Sequence, residues 1–320
     1  MTAAGGGGSG VGRPHATVAV GTSPAGGGAG PVPVPRRRGA WERAMDVGRR
    51  VARSRPAAFG TLIVTLMLVL AAVGPSVAPH DPIRGALAHR LQPPSREYPL
   101  GTDALGRDLL SRMLYGARIA FAVGFIATAI AGVVGTTLGL VSGYYSGAVD
   151  RIIMGFTDIL LAFPYLLLAL IIVAVLGANL TNAMGAVAVV YIPQYIRLVR
   201  GTVLGVKARG YVLAARAAGA SNARMVVRHV LLNSLAPIIV QSSLSFGSAI
   251  VATATLSFLG LGAQPPTPEW GSILNAGREY IRIAPWTTTF PGLAILLTAI
   301  GCNLLGDGLR DALDPRLKTQ

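Results

Sequence analysis

Six stretches of this chain are too long and too apolar for water to be their main surroundings: residues 57–77, 119–141, 152–176, 183–204, 235–261 and 288–305. At about 1.5 Å of rise per residue, a helix of about 20 residues crosses a hydrocarbon core of about 30 Å. Lipid offers no partner for backbone N–H and C=O groups, so a spanning segment must be a helix or belong to a closed barrel. These runs are continuous rather than alternating, which selects helices. The composition agrees, because only 13% of residues are charged, against about 25% in soluble domains. The expected fold is an all-α integral membrane protein with about six transmembrane helices.

The formal charge of +15 would suggest nucleic acid in a soluble chain. Here the cations flank apolar runs, where they set orientation, and no zinc-finger spacing or aromatic–basic interleaving accompanies them. Arg36, Arg37, Arg38, Arg43, Arg49, Arg50, Arg53 and Arg55 precede the first run. That density keeps the N-terminus inside, and six crossings put both termini in the cytoplasm. The outer loop 79–116 carries more arginine than the rule prefers, but longer loops weigh little in it. Residues 1–35 are rich in Gly, Ala and Pro, a composition that cannot bury enough apolar surface to order itself. The single cysteine, Cys302, cannot form an intrachain disulfide, and no Cys/His cluster suggests a metal. The glycine-rich residues 6–13 lack the Gly-Lys-Ser/Thr ending of a phosphate loop. No catalytic residue is expected.

The loop between the fourth and fifth runs, 207–233, is basic and alanine-rich, which favours helix. Gly219 stands where a helix would end, and Ser221 or Asn222 can cap a second helix reaching Leu232. Ala214, Ala215, Ala217, Ala218 and Ala220 leave a shallow surface on which another protein can pack. An ordinary positive loop that touches nothing is the other reading of the composition.

This loop resembles the EAA loop by which permeases of ATP-binding cassette (ABC) importers dock on their ATPases, a pattern of Glu-Ala-Ala, three residues, then Gly. Ala214, Ala215 and Gly219 match; Leu213 stands at the Glu position, and Leu232 where Pro is usual. His229 and Asn233 match the peptide-permease variant. Tyr98-Pro99-Leu100-Gly101-Thr102-Asp103-Ala104-Leu105-Gly106-Arg107-Asp108 is similar to an outer-loop signature of the second permease of dipeptide, oligopeptide and nickel importers, as are Gln264-Pro265-Pro266-Thr267-Pro268-Glu269-Trp270-Gly271 and Asn303-Leu304-Leu305-Gly306-Asp307-Gly308-Leu309-Arg310-Asp311. The resemblance covers residues 51–317. It implies a type I importer permease fold with a cytoplasmic coupling helix, in the cell membrane of a prokaryote. The implied partners are a homologous second permease, two ATPase subunits that bind ATP and Mg, and an extracytoplasmic peptide-binding protein. This subunit itself would hold no cofactor. Ala214, Ala215, Arg216, Ala217, Ala218, Gly219, Ala220, Ser221 and Arg224 would carry coupling.

The expected organisation is a cytoplasmic tail at 1–50, a first transmembrane helix and outer loop at 51–116, a permease core at 117–310 and a C-terminal tail at 311–320. Inside the third run, Asp158 either lines the pathway, where it would meet a peptide ammonium, or makes a structural hydrogen bond to a neighbouring helix. Pro164 is expected to kink that run, and Pro193 the next. The glycines at 132, 135, 139 and 143 form a small-residue face, read as packing against a partner subunit. Glu269 and Trp270 are candidates for contact with the binding protein. Nickel or another small solute is the alternative cargo, and an ion-coupled carrier using Asp158 is the alternative mechanism.

Overall fold

The computed structural model describes residues 40–313, with side chains from residue 45 onward. The tail at 1–35, the arginines at 36–38 and the last residues, 314–320, lie outside the described residues. Among those described, every regular element is a helix. Five helices are long and apolar enough to cross a membrane, and a bent pair makes a sixth crossing if counted as one.

The chain opens with α1 (Ala40–Arg53), a helix that hydropathy alone does not reveal. Val47 and Val51 pack against Ala57, Leu305, Leu309 and Ala312, while Arg49, Arg50 and Arg53 are exposed. That split between an apolar and a basic face is the pattern of a helix lying along an interface. Helix α2 (Arg55–Val77) follows, with Pro56 in its first turn, where a missing N–H costs nothing.

Helix α3 (Leu109–Tyr145) begins ten residues before the apolar run at 119. The expected boundary at 116/117 therefore falls inside a helix. Asp108 explains the early start: its carboxylate accepts from the backbone N–H groups of Leu110 at 3.3 Å and Ser111 at 3.0 Å, satisfying the first turn.

The third run is not a single continuous helix but a pair broken at Pro164. It is α4 (Gly147–Ala162) and α5 (Tyr165–Leu176), whose axes meet at 94°. Phe163 is extended, at φ −88° and ψ 140°, because the ring of Pro164 excludes helical geometry from the residue before it. By contrast α6 (Leu180–Lys207) runs through Pro193 without ending.

After the loop come α7 (Gly210–Ala217), α8 (Asn222–Arg224), a π-helical segment (Met225–Leu231) and α9 (Leu232–Phe258). The second helix of the loop thus continues directly into the fifth crossing. Pro237 cannot donate to its own helix. Just ahead of it the Asn233 side chain bonds the His229 carbonyl at 2.6 Å, and Ser234 that of Val230 at 3.0 Å. Outer α10 (Trp270–Gly277) leads to α11 (Trp286–Leu313).

The most extensive helix contact in the fold is between α3 and α6. Gly135, Gly139 and Gly143 face Tyr195, Val199 and Val203, and both rows step by four residues. A Cβ placed on Gly139 would lie 2.8 Å from the Cβ of Val199 and 2.9 Å from the carbonyl of Ile196; at Gly143 the Val203 Cβ would be 2.8 Å away. Small-residue faces let backbones meet where lipid supplies no hydrophobic drive for helix association. This face therefore serves the chain's own α6, not a partner subunit as its spacing suggests. Ala127, Ala131, Ala183, Ala186, Ala249 and Ala252 continue the close packing among α3, α6 and α9.

Gly139→Ala is expected to destabilise the detergent-purified protein by about 1–3 kcal/mol, the usual cost of overpacking. Gly185→Ala, on the same pair but with open space at its Cβ, should leave the midpoint of thermal unfolding unchanged. Equal midpoints for the two variants would contradict the close α3–α6 contact.

Candidate coupling elbow and polar membrane face

Beside the C-terminal ends of α3 and α6, the segment 207–233 folds back as an elbow. Val212, Met225 and Val230 are buried beneath it against Leu140, Tyr144, Val199, Val203 and Val206. Helix α7 ends as the glycine requires. Gly219 sits at φ +81°, its N–H bonds the carbonyl of Arg216 at 3.0 Å, and the N–H of Ala220 bonds that of Ala215 at 3.1 Å. These two bonds form a Schellman cap. Ser221 then caps α8 through the N–H of Arg224 at 3.4 Å, so the cap falls to Ser221 rather than Asn222.

Three polar contacts clamp the elbow to α3. Lys207 Nζ donates to the carbonyl of Tyr144 at 2.7 Å and to that of Gly143 at 3.3 Å, a cation on the negative end of a helix. The hydroxyl of Tyr144 donates to Asn222 Oδ1 at 2.7 Å. The guanidinium of Arg216 stands 6.0 Å above the Tyr144 ring. Tyr144 and Lys207 are central here, yet sequence reasoning singled out neither as a site. A tyrosine ending a run of small residues was the available signal.

The elbow divides its alanines. Ala215 and Ala220 pack inward, whereas Ala214, Ala217, Ala218 and Gly219 are exposed, together with Arg216, Ser221 and Arg224. The shallow outward surface is therefore made by fewer alanines than their spacing suggests. Tyr211 and Leu213 stand beside it at 44% and 54% exposure, large apolar side chains without cover.

A second cluster lies within the crossings. Asp150 is held by Arg200 through two bonds, at 2.6 and 2.7 Å, and by Ser142 at 2.5 Å, which ties α4 to α6 and α3. Asp158 meets Arg197 through one bond of 2.7 Å, so it does pair with a neighbouring helix, but both side chains remain more than half exposed. Exposed Gln194 stands one turn from Arg197 and accepts from Gln241 on α9 at 3.3 Å. Elsewhere the exposed positions of the crossings are largely apolar, as at Leu62, Leu66, Phe125, Val133 and Leu296. Polar groups thus gather on the face shared by α4, α6 and α9. Pro164 lies at the break that ends α4 and touches none of them through any polar contact.

At the outer end, Glu269 and Trp270 are 3% and 2% exposed. Neither can present a surface to a separate protein in this conformation, which corrects the expected role. Glu269 caps α10 through the N–H of Ser272 at 2.9 Å, and Trp270 Nε1 donates to the carbonyl of Met113 at 3.0 Å. The motif around Thr102 is equally inward. Asp103 accepts from Arg107 Nε at 2.7 Å and from two backbone N–H groups, and Trp286 Nε1 donates to the carbonyl of Thr102 at 3.1 Å. Among the described residues, no group of three or more His, Cys, Asp or Glu side chains is placed to hold a metal ion.

Residues 135–319 match the family described as the inner membrane component of binding-protein-dependent transport systems, and residues 43–94 match the N-terminal transmembrane domain of oligopeptide transport permease C. This chain belongs to that inner-membrane-component family. It is a permease subunit of an ABC importer family, the membrane component and not itself the ATPase. The dipeptide transport system permease protein DppC of Alkalihalophilus pseudofirmus is 46% identical over 271 residues, covering 85% of this chain and 89% of the relative. The glutathione transport system permease protein GsiD of Pectobacterium atrosepticum is 46% identical over 272 residues, covering 85% and 90%. Among solved structures, a chain of the MetNI methionine ABC transporter in an inward-facing form superposes with a TM-score of 0.51 at 18% identity, over 62% of this chain and 95% of that one. At that identity the match supports the fold alone.

Burial lifts the carboxyl of Glu269 above the ordinary glutamate value, while the N–H groups of Gly271 and Ser272 and the Ser257 hydroxyl pull it back. A folded value above the unfolded one contributes stability at low pH and loses it as pH rises through the folded value. Glu269→Gln, which keeps an acceptor for Ser272, should therefore gain in unfolding midpoint over the parent as pH goes from about 5 to about 8. A difference that is flat or shrinks over that range would exclude a buried carboxylate penalty.

Proposed function

We propose that this chain forms half of the translocation pathway of an ABC importer for short peptides, and that its elbow receives the ATPase stroke. The observation that carries the reading is the clamped elbow. Its outer side offers Ala214, Ala217, Ala218 and Gly219, flanked by exposed Tyr211 and Leu213 and by the cations Arg216 and Arg224. Its inner side is bonded to α3 through Lys207, Tyr144 and Asn222. A push on the elbow therefore reaches α3, and through the glycine contact α6, as one body.

This arrangement and the family support a set of partners. Two ATPase subunits, carrying ATP and Mg, dock below this elbow and the equivalent loop of a homologous permease. That second permease faces the polar surface of α4, α6 and α9, closing the pathway between them. An extracytoplasmic binding protein delivers the cargo. The elbow lies at the same end as arginine-rich α1, and the positive-inside rule supports a cytoplasmic side for it and for both termini. Peptide as cargo is supported by the names of the relatives, which transport dipeptides and glutathione.

Gly219 provides the test. Its positive φ costs an L-residue about 1–2 kcal/mol, and a β-branched side chain is the worst case. In proteoliposomes holding the complete importer, Gly219→Val should assemble yet hydrolyse ATP without peptide uptake, whereas Gly219→Asn, which tolerates the same backbone, should keep uptake. Normal coupling in the valine variant would remove the elbow from the mechanism.

A further inference from the structure

We propose that Asp158 and Arg197 form a reversible binding station for the charged groups of the peptide in transit, Asp158 taking an ammonium and Arg197 a carboxylate. The proposal rests on the peptide-importer reading above and adds to it the residues that read the cargo.

The two ion pairs on α4 and α6 are built differently. Asp150 and Arg200 share two bonds, Ser142 adds a third, and the side chains are 18% and 30% exposed. That pair is saturated and fixes the helices. Asp158 and Arg197 share one bond, from NH2 to Oδ1, at 58% and 53% exposure. Asp158 Oδ2 and the remaining guanidinium donors point to no described residue at hydrogen-bond distance. A charged pair standing half open among membrane crossings belongs to a water-filled cavity or a partner's polar surface, because lipid would not tolerate it.

The pair is also placed where it can part. Asp158 lies just over one turn before the break at Phe163, and α4 buries only Thr157 against the rest of the chain. In the resting state the two charges neutralise each other. A zwitterion entering between them exchanges one ion pair for two, so neither charge is stranded. An extended dipeptide spans about 7 Å between its ends, so with about 2.8 Å of hydrogen bond at each end the two charges must part by roughly 10 Å, which takes a swing of the α4 tip together with rotation of both long side chains. Gln194 and Gln241, one turn away, offer amide groups to the peptide bond. The arrangement recognises backbone charges and an amide, which every peptide carries, and makes no demand on side chains.

The test uses the complete importer in proteoliposomes, with labelled dialanine, alanyl-glutamate and alanyl-lysine. The double neutral variant Asp158→Asn/Arg197→Gln keeps a polar bond between the helices. It should assemble and retain ATPase stimulation by the loaded binding protein, while dialanine uptake falls at least about tenfold, as expected for a lost charge-assisted contact. The single variants should move selectivity in opposite directions. Asp158→Asn leaves a lone cation and raises the ratio of alanyl-glutamate to alanyl-lysine uptake; Arg197→Gln leaves a lone anion and lowers it; Arg197→Lys holds it near the parent. Dialanine uptake by the double variant within about twofold of the parent, or ratios that stay fixed or move together, would overturn the station and leave the importer reading intact. Absence of uptake of all three peptides by the parent importer would instead remove the peptide reading, and the station with it.

Discussion

The contact between α3 and α6 sets the geometry on which everything else depends. In a bilayer, apolar side chains gain little by leaving lipid for each other, so helices hold together by shape and by hydrogen bonds. Glycines at 135, 139 and 143 remove the side chains that would keep the two backbones apart, and Tyr195, Val199 and Val203 fill the groove left open. The two helices then act as one stiff body. One end carries the elbow and its polar flank carries Gln194, Arg197 and Arg200, so elbow and polar face belong to a single part.

On that body the ion pairs divide the work of the remaining helix. The Asp150–Arg200–Ser142 cluster pins the start of α4 near the inner end. Beyond it α4 buries almost nothing, and Pro164 ends it before it can pack along α6. A helix pinned at one end and free at the other is the element best able to change position without unfolding its neighbours. Asp158 rides on its free end, while Arg197 is fixed to the stiff pair.

Much of this could be read from the sequence. The runs at 57–77 and 183–204 lie within a few residues of α2 and α6, and Gly219 and Ser221 carry the turn and the cap that their residue types suggest. These features are local: helix length follows composition, and a positive φ follows glycine. What could not be read depends on tertiary partners. The period of the glycine face is visible, but whether α6 or another subunit fills it is not. The first turns of α3 contain Ser111 and Arg112, which hydropathy excludes; Asp108 and a bond from Arg112 to the Pro82 carbonyl bring them into the helix. Glu269 and Trp270 look like exposed loop residues because nothing nearby in sequence announces that Met113 and the ends of α9 and α10 enclose them.

Under the proposed coupling, the loop before α3 is the fixed point against which a push on the elbow acts. Helix α3, at 37 residues, is about 55 Å long, far more than a bilayer core requires. Its outer turns are held on several sides: Asp108 caps them, Ser111 accepts from the N–H of His80 at 3.0 Å, and Trp270 grips Met113. Its other end is bonded to the elbow through Lys207 and Tyr144 and to α4 through Ser142, and it packs on α6. Buried polar networks are stiff because every broken bond strands a group away from water, so the first turns of α3 stay with the loop before them, while its last turns travel with the elbow to which they are bonded. On the proposed reading a push on the elbow would therefore tilt the α3–α6 body about its opposite anchor. The buried signature around Thr102 and Asp103 would serve as the bearing for that tilt, and the alanine surface as the point where the force enters.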